Sequence, residues 1–265
     1  MFSGLHPSNW EGNGSEDQMV LFYKRELPKD LLYLLSFHSG KYIFTDVTSS
    51  DTTVDFSAAT PTEQRTYAKP AGTSGFNYTL FGTSVEGDYS QKIYLYHSGA
   101  VSHKYDLLFP PTRIKEYDLS VRYADADGIQ YEYFHLGPTV PEELGLAGSP
   151  GFAVMQADSS GFKVSYSGEK PVASQLALIG RRGMNPVFWS VYLPAEQTSF
   201  DPGPFLENLQ AKNFQGTSVS IMKVDYLQTY YMEGYSYQSL LDYWHNQERT
   251  LKRELKQYHL IRKKF

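Results

Sequence analysis

The chain has 265 residues, 41% hydrophobic and 20% charged, with a formal net charge of -5, a globular balance long enough for one large domain or two ordinary ones. The negative charge argues against nucleic acid, which selects basic surfaces. The absence of Cys excludes thiol catalysis, thiolate metal sites and disulfides, and no apolar run reaches the roughly 20 residues that a membrane-spanning helix needs.

Residues Met1 to Gln18 are polar and rich in Gly and Ser, with Trp10 as the one anchor. They lack the charged-then-apolar order of a signal peptide. Met19–Tyr23 is the first strand candidate, and Asp30–Leu35 is ambiguous between a helical turn and a buried strand. Short runs follow at Lys41–Thr45, Thr52–Phe56, Phe76–Phe81 and Gln91–His97, punctuated by Gly, Ser and Asp. Their even spacing and the 22 Tyr and 16 Phe predict a mainly β chain of antiparallel β-sandwich type.

Phe109-Pro-Pro-Thr112 is the best domain boundary, because paired prolines interrupt strand pairing. We therefore expect sandwich-like halves at 1–109 and 110–235, or one continuous sandwich. Glu116–Tyr123 and Ile129–Leu136 flank Asp127-Gly128, the strongest short hairpin signal in the chain. Phe152–Gln156 and Gly161–Ser167 form a second pair. Ser174–Pro194 is the central hairpin: Leu176 and Leu178 face one way, Ala177 and Ile179 the other, and Trp189 shares a core face with Val187, Val191 and Leu193. Pro204–Asn213 reads as a short helix and Thr217–Gln228 as a long last strand.

From Ser236 to Phe265 there is no Gly or Pro, and Tyr237, Trp244, Leu251, Tyr258 and Phe265 recur every seventh residue. That spacing predicts a C-terminal amphipathic helix over 236–265, N-capped by Ser236, with its basic residues near the C-terminal end of the dipole.

No motif carries recognisable chemistry. Asp125-Ala-Asp127-Gly128 lacks the ligand spacing of a calcium loop. The Gly-Ser-Pro-Gly stretch at 148–151 lacks the strand and helix of a nucleophile elbow. The seven His residues form no metal-ligand pattern, so no metal, cofactor or catalytic residue is assigned. Three features point to binding. Tyr131, Tyr133 and His135 share one strand face, which makes either an aromatic strip for sugar rings or a partner, or a layer packed under the fold. Arg181 and Arg182 at a hairpin tip form either an anion-holding pair of guanidinium forks or a solvated turn. Trp244, Leu251, Tyr258, Lys252 and Lys256 on the last helix either dock a partner or cover the chain's own sheet.

In its spaced strands, Tyr-rich faces and lack of enzyme motifs the chain resembles the β-sandwich surface lipoproteins of Bacteroidota, although it lacks their lipobox Cys. The expected function is non-catalytic binding or assembly at the cell envelope, with a glycan or protein partner contacted through Tyr- and Trp-bearing faces. Alternatives are a structural component of a larger particle, using the N-terminal arm and C-terminal helix, and a lipid carrier or enzyme whose pocket forms only on folding.

Overall fold

The computed structural model describes residues 30–47, 54–89, 92–98, 106–213, 219–246 and 256–265. The expected strands at Met19–Tyr23 and Thr52–Phe56 lie wholly or partly outside them, as do Trp10, Leu251 and Lys252. The chain is mainly β, its described pairs antiparallel. It forms two compact units, each built from several stretches of sequence. The first comprises Met1–Lys69, Asn77–Val121 and His135–Leu144, the second Pro70–Phe76, Arg122–Phe134 and Gly145–Phe265. The Pro110-Pro111 stretch lies inside the first unit.

The first unit takes β1 (Asp30–Ser36), β2 (Lys41–Val47), β3 (Thr60–Pro61), β4 (Glu63–Thr66), most of β5 (Ser74–Thr83), β6 (Ile93–His97), β7 (Asp106–Phe109) and most of β8 (Glu116–Ala124). The ambiguous Asp30–Leu35 run is a strand, because it pairs along its whole length with β2. Strands β1, β2 and β3 make one small sheet, β4 and β7 another, and β5 lies between β8 and β6. Tyr78, Leu80, Ile93, Leu107, Leu119 and Val121 are almost fully excluded from solvent and supply the apolar burial on which such a unit depends. Glu116, also buried, is satisfied: its Oε2 accepts from the Gly87 N–H at 2.7 Å and the Tyr89 hydroxyl at 3.0 Å.

In the second unit β9 (Gln130–Gly137) begins after the Asp127-Gly128 turn. Gly128 has φ 76°, as such a turn requires. Asp125 Oδ1 accepts from the Asp127 and Ile129 N–H groups, and Oδ2 from the Tyr131 hydroxyl. The carboxylate is thus engaged by the turn itself. Strands β10 (Phe152–Asp158) and β11 (Gly161–Tyr166) pair, and β14 (Ser199–Phe200) extends them. The central hairpin is β12 (Ala173–Arg182) and β13 (Asn185–Pro194), joined through Gly183-Met184. Helix α1 (Pro202–Asn213) follows, then β15 (Val219–Met232).

The C-terminal expectation is corrected. Helix α2 spans only Tyr237–Asn246, and Gln257–Lys264 is a strand, β16. Ser236 does cap α2, its Oγ accepting from the Ser239 N–H at 3.1 Å. The seven-residue spacing misled because seven is odd. On a strand Tyr258 and Phe265 fall on opposite faces, whereas the helical reading put them on one stripe. The β-favouring run Tyr258-His259-Leu260-Ile261 can bury both faces at once as a strand, and β15 offers it seven register partners, Tyr226 through Met232. Within this unit the strand order is β13-β12-β15-β16-β9.

One face of β12, β13, β15 and β16 is core: Ser174, Leu176, Leu178, Leu193, Val224, Leu227, Thr229 and Ile261 are all under 4% exposed. It also carries the half-buried Trp189, which stands edge-on to Phe205 of α1 at 5.9 Å. A Cβ on Gly180 would lie 2.2 Å from the Trp189 ring and 2.4 Å from the Ser220 carbonyl oxygen. Gly180→Ala should therefore cost about 1–3 kcal/mol through overpacking, read as a lower urea midpoint at unchanged slope. Deleting Gln257–Phe265 strips β15 of a whole neighbour and should leave a chain that does not melt cooperatively in calorimetry.

Candidate functional site

The opposite face of the same four strands is open over much of its area. Register places Gln175, Ala177, Ile179 and Arg181 of β12 on it, with Phe188, Ser190 and Tyr192 of β13. Strand β15 adds Lys223, Tyr226, Gln228 and Tyr230, and β16 adds Leu260, Arg262 and Lys264. Arg181, Phe188, Ser190, Lys223, Arg262 and Lys264 are exposed, and Gln175, Ile179, Tyr192 and Tyr226 half-buried.

Helix α2 closes one end of this face. Its Leu240 and Trp244 pack with Ala173, Tyr230, Met232, Tyr258 and Leu260. The Trp244 ring lies 4.2 Å from Tyr192 and 5.2 Å from Tyr230, and the Tyr237 hydroxyl donates to the Tyr192 carbonyl at 2.8 Å. The far end is the hairpin tip with Arg181.

Across the middle runs a chain of hydrogen bonds, each group donating to the next. Arg262 donates through Nε at 2.8 Å, and through Nη2, to Gln228 Oε1. Gln228 Nε2 donates to the Tyr230 hydroxyl at 2.7 Å, which donates to Gln175 Oε1 at 2.8 Å. Gln175 Nε2 donates to Ser190 Oγ at 3.0 Å. Gln228 and Tyr230 are buried at 6% and 8% exposure, so their polar groups need these partners. Bonds aligned in one direction polarise one another. The row begins at a cation and ends on an exposed hydroxyl whose own proton is left to donate outward. The Arg262 guanidinium also lies over the Tyr226 ring at 4.8 Å, a cation–π contact.

No family model, curated protein or solved structure matches this chain. The site therefore rests on its own geometry.

Of the residues singled out from sequence, Tyr131 and Tyr133 are only 3% and 2% exposed. Tyr131 stacks on Tyr123 at 4.9 Å, and Tyr133 meets His259 at 5.3 Å. Their rings lie inside the fold, so an open aromatic strip must be sought on another surface. His135, further along β9, is half-buried. Arg181 and Arg182 are exposed at the hairpin tip, and only Arg181 shares the open face, since successive side chains alternate. Trp244 borders that face, Tyr258 stacks on Phe134 at 4.3 Å beneath α2, and Lys256 is exposed just before β16. Sequence reasoning missed Gln175, Tyr226, Gln228 and Arg262. A signal was present in Tyr226-x-Gln228-x-Tyr230 and Arg262-x-Lys264, a polar alternation inside strands otherwise read as core or as helix. Among the described residues, no group of three or more His, Asp and Glu side chains could hold a metal ion.

Burial raises the hydroxyl pKa values of several tyrosines. Tyr96, Tyr117, Tyr123 and Tyr231 are each pushed up to about 12, and burial raises Tyr230 in the hydrogen-bonded row as well. Because the folded state holds these phenols neutral above the unfolded value of 10.0, their contribution to stability is complete below pH 10 and is lost as pH rises toward 12. Melting temperature should be insensitive to these groups between pH 7 and 9.5 and fall steeply above 10, in step with phenolate absorbance.

Proposed function

We propose that the chain is a sandwich-built, non-catalytic binding protein and that the open face of β12, β13, β15 and β16 takes a glycan. Within the second unit the layered reading is supported by the Tyr166 hydroxyl on Ser174 Oγ at 2.6 Å and the Tyr231 hydroxyl donating to the Pro150 carbonyl at 3.3 Å. Both bonds tie the β10-β11 layer and its flanking loop to the buried face. The observation that carries the functional reading is the hydrogen-bonded row from Arg262 to Ser190, set between the rings of Tyr226 and Tyr192. A sugar presents apolar C–H faces beside hydroxyls that both donate and accept. A binding face for it needs flat aromatic edges next to amide, hydroxyl and guanidinium groups already held in place. The row's amide, hydroxyl and guanidinium groups are the donors and acceptors that recognition uses.

A protein partner is the second reading, favoured by the hairpin tip, where Met184 is 97% and Phe188 68% exposed. Such side chains commonly anchor protein contacts.

A glycan array followed by calorimetry tests the first reading. Ser190→Ala should leave stability within about 0.5 kcal/mol and weaken a saccharide hit roughly fivefold to tenfold, the worth of about one net hydrogen bond. Met184→Ala, in the turn beyond both strands, should leave that affinity unchanged. Loss of a protein partner in Phe188→Ala, with an empty array, would transfer the function to the hairpin tip.

A further inference from the structure

We infer that the glycan is anionic, a saccharide carrying carboxylate or sulfate groups. This rests on the glycan reading above and narrows it. Although the whole chain carries a net charge of -5, the open face gathers four exposed cations, Arg181, Lys223, Arg262 and Lys264. None of the four forms an ion pair among the described residues. The nearest acid in sequence on these strands is Asp225, the unpaired residue at the β15 bulge between Val224 and Tyr226. A negative protein that collects unpaired positive charge on one face presents it to a negative ligand.

Arg262 fixes the chemistry most narrowly. Gln228 Oε1 takes its Nε and Nη2 edge, and its Cζ lies over the Tyr226 ring. The outer Nη1 and Nη2 edge remains, already oriented, and a planar two-pronged donor of that kind matches the oxygens of a carboxylate or sulfate. Lys264 lies directly across from Tyr226 in register and Lys223 across from Ile179, so the cations extend along the face toward Arg181. That arrangement suits a repeating polyanion better than a single small anion.

Single-stranded nucleic acid is also a polyanion, but it needs free ring faces on which bases stack. Here the Tyr226 ring is covered by Arg262, Tyr192 lies against Trp244, and Tyr230 is buried. Phe188 is the one freely exposed ring on the face, a single stacking position where a run of bases needs several.

The test uses the full chain with four probes of matched length: a polyuronate, a sulfated dextran, neutral dextran and oligothymidylate. Affinities are measured by calorimetry at low and high ionic strength. One or both anionic saccharides should bind at least tenfold more tightly than neutral dextran, and binding should weaken as salt rises. The uronate and sulfate arms tell which group is read. Arg262→Lys keeps the charge and loses the fork, and should weaken binding about tenfold while leaving the salt dependence. Arg181→Gln with Lys223→Gln, both at exposed positions, should instead reduce the salt dependence at unchanged melting temperature. If saccharides bind but neutral ones bind as tightly, at any salt, the anionic reading falls and the glycan reading stands. If no saccharide binds here or on the array, both fall. Tighter binding of oligothymidylate overturns the inference in favour of nucleic acid.

Discussion

Strand β15 is hydrogen-bonded on both edges, to β12 on one side and β16 on the other, and the architecture of the second unit depends on that. Its fourteen residues are long enough to set the register of the whole β12-β13 hairpin and of the C-terminal strand together. A strand held on two edges with one face buried cannot slip by a single residue without turning Leu227 and Thr229, both fully buried, out of the core. The register is thereby fixed, and so is the opposite face, which brings Tyr226, Gln228 and Tyr230 into line with residues from three other strands.

Burying Gln228 and Tyr230 has a cost, offset only if their polar atoms are satisfied. The directional row from Arg262 through Gln175 meets that condition by bringing together side chains far apart in sequence. Loss of any middle member would leave a buried donor or acceptor without its partner, so the row acts as a unit. The bulge at Asp225 belongs to the same design, because a bulge adds twist and redirects the side chains beyond it, here Lys223 relative to Tyr226.

The sequence was informative where local chemistry decides. The Asp127-Gly128 turn, the β12-β13 hairpin, the cap at Ser236 and the short helix before β15 all follow from turn residues, alternation and capping. It was misleading where pairing decides. Residues 257–264 have a helix-compatible spacing, and only the free edge of β15 makes them a strand. The burial of Tyr131 and Tyr133 depends on what covers them, which alternation within β9 cannot reveal. The row was hidden for a related reason: Gln175, Gln228 and Arg262 lie on three strands and become neighbours only through register. Arg181 was legible because a hairpin tip exposes its residues whatever the rest of the chain does.

The two tryptophans of the second unit stand on opposite faces of one sheet. Trp189 lies over Gly180 beside α1, and Trp244 leans on Tyr192 and Tyr230 at the border of the open face. The second unit thus carries two optical reporters separated by the thickness of a single sheet. Emission from Trp244 senses what settles on the open side, and emission from Trp189 senses the integrity of the packed one. Occupancy and unfolding are spectroscopically separable within the same chain.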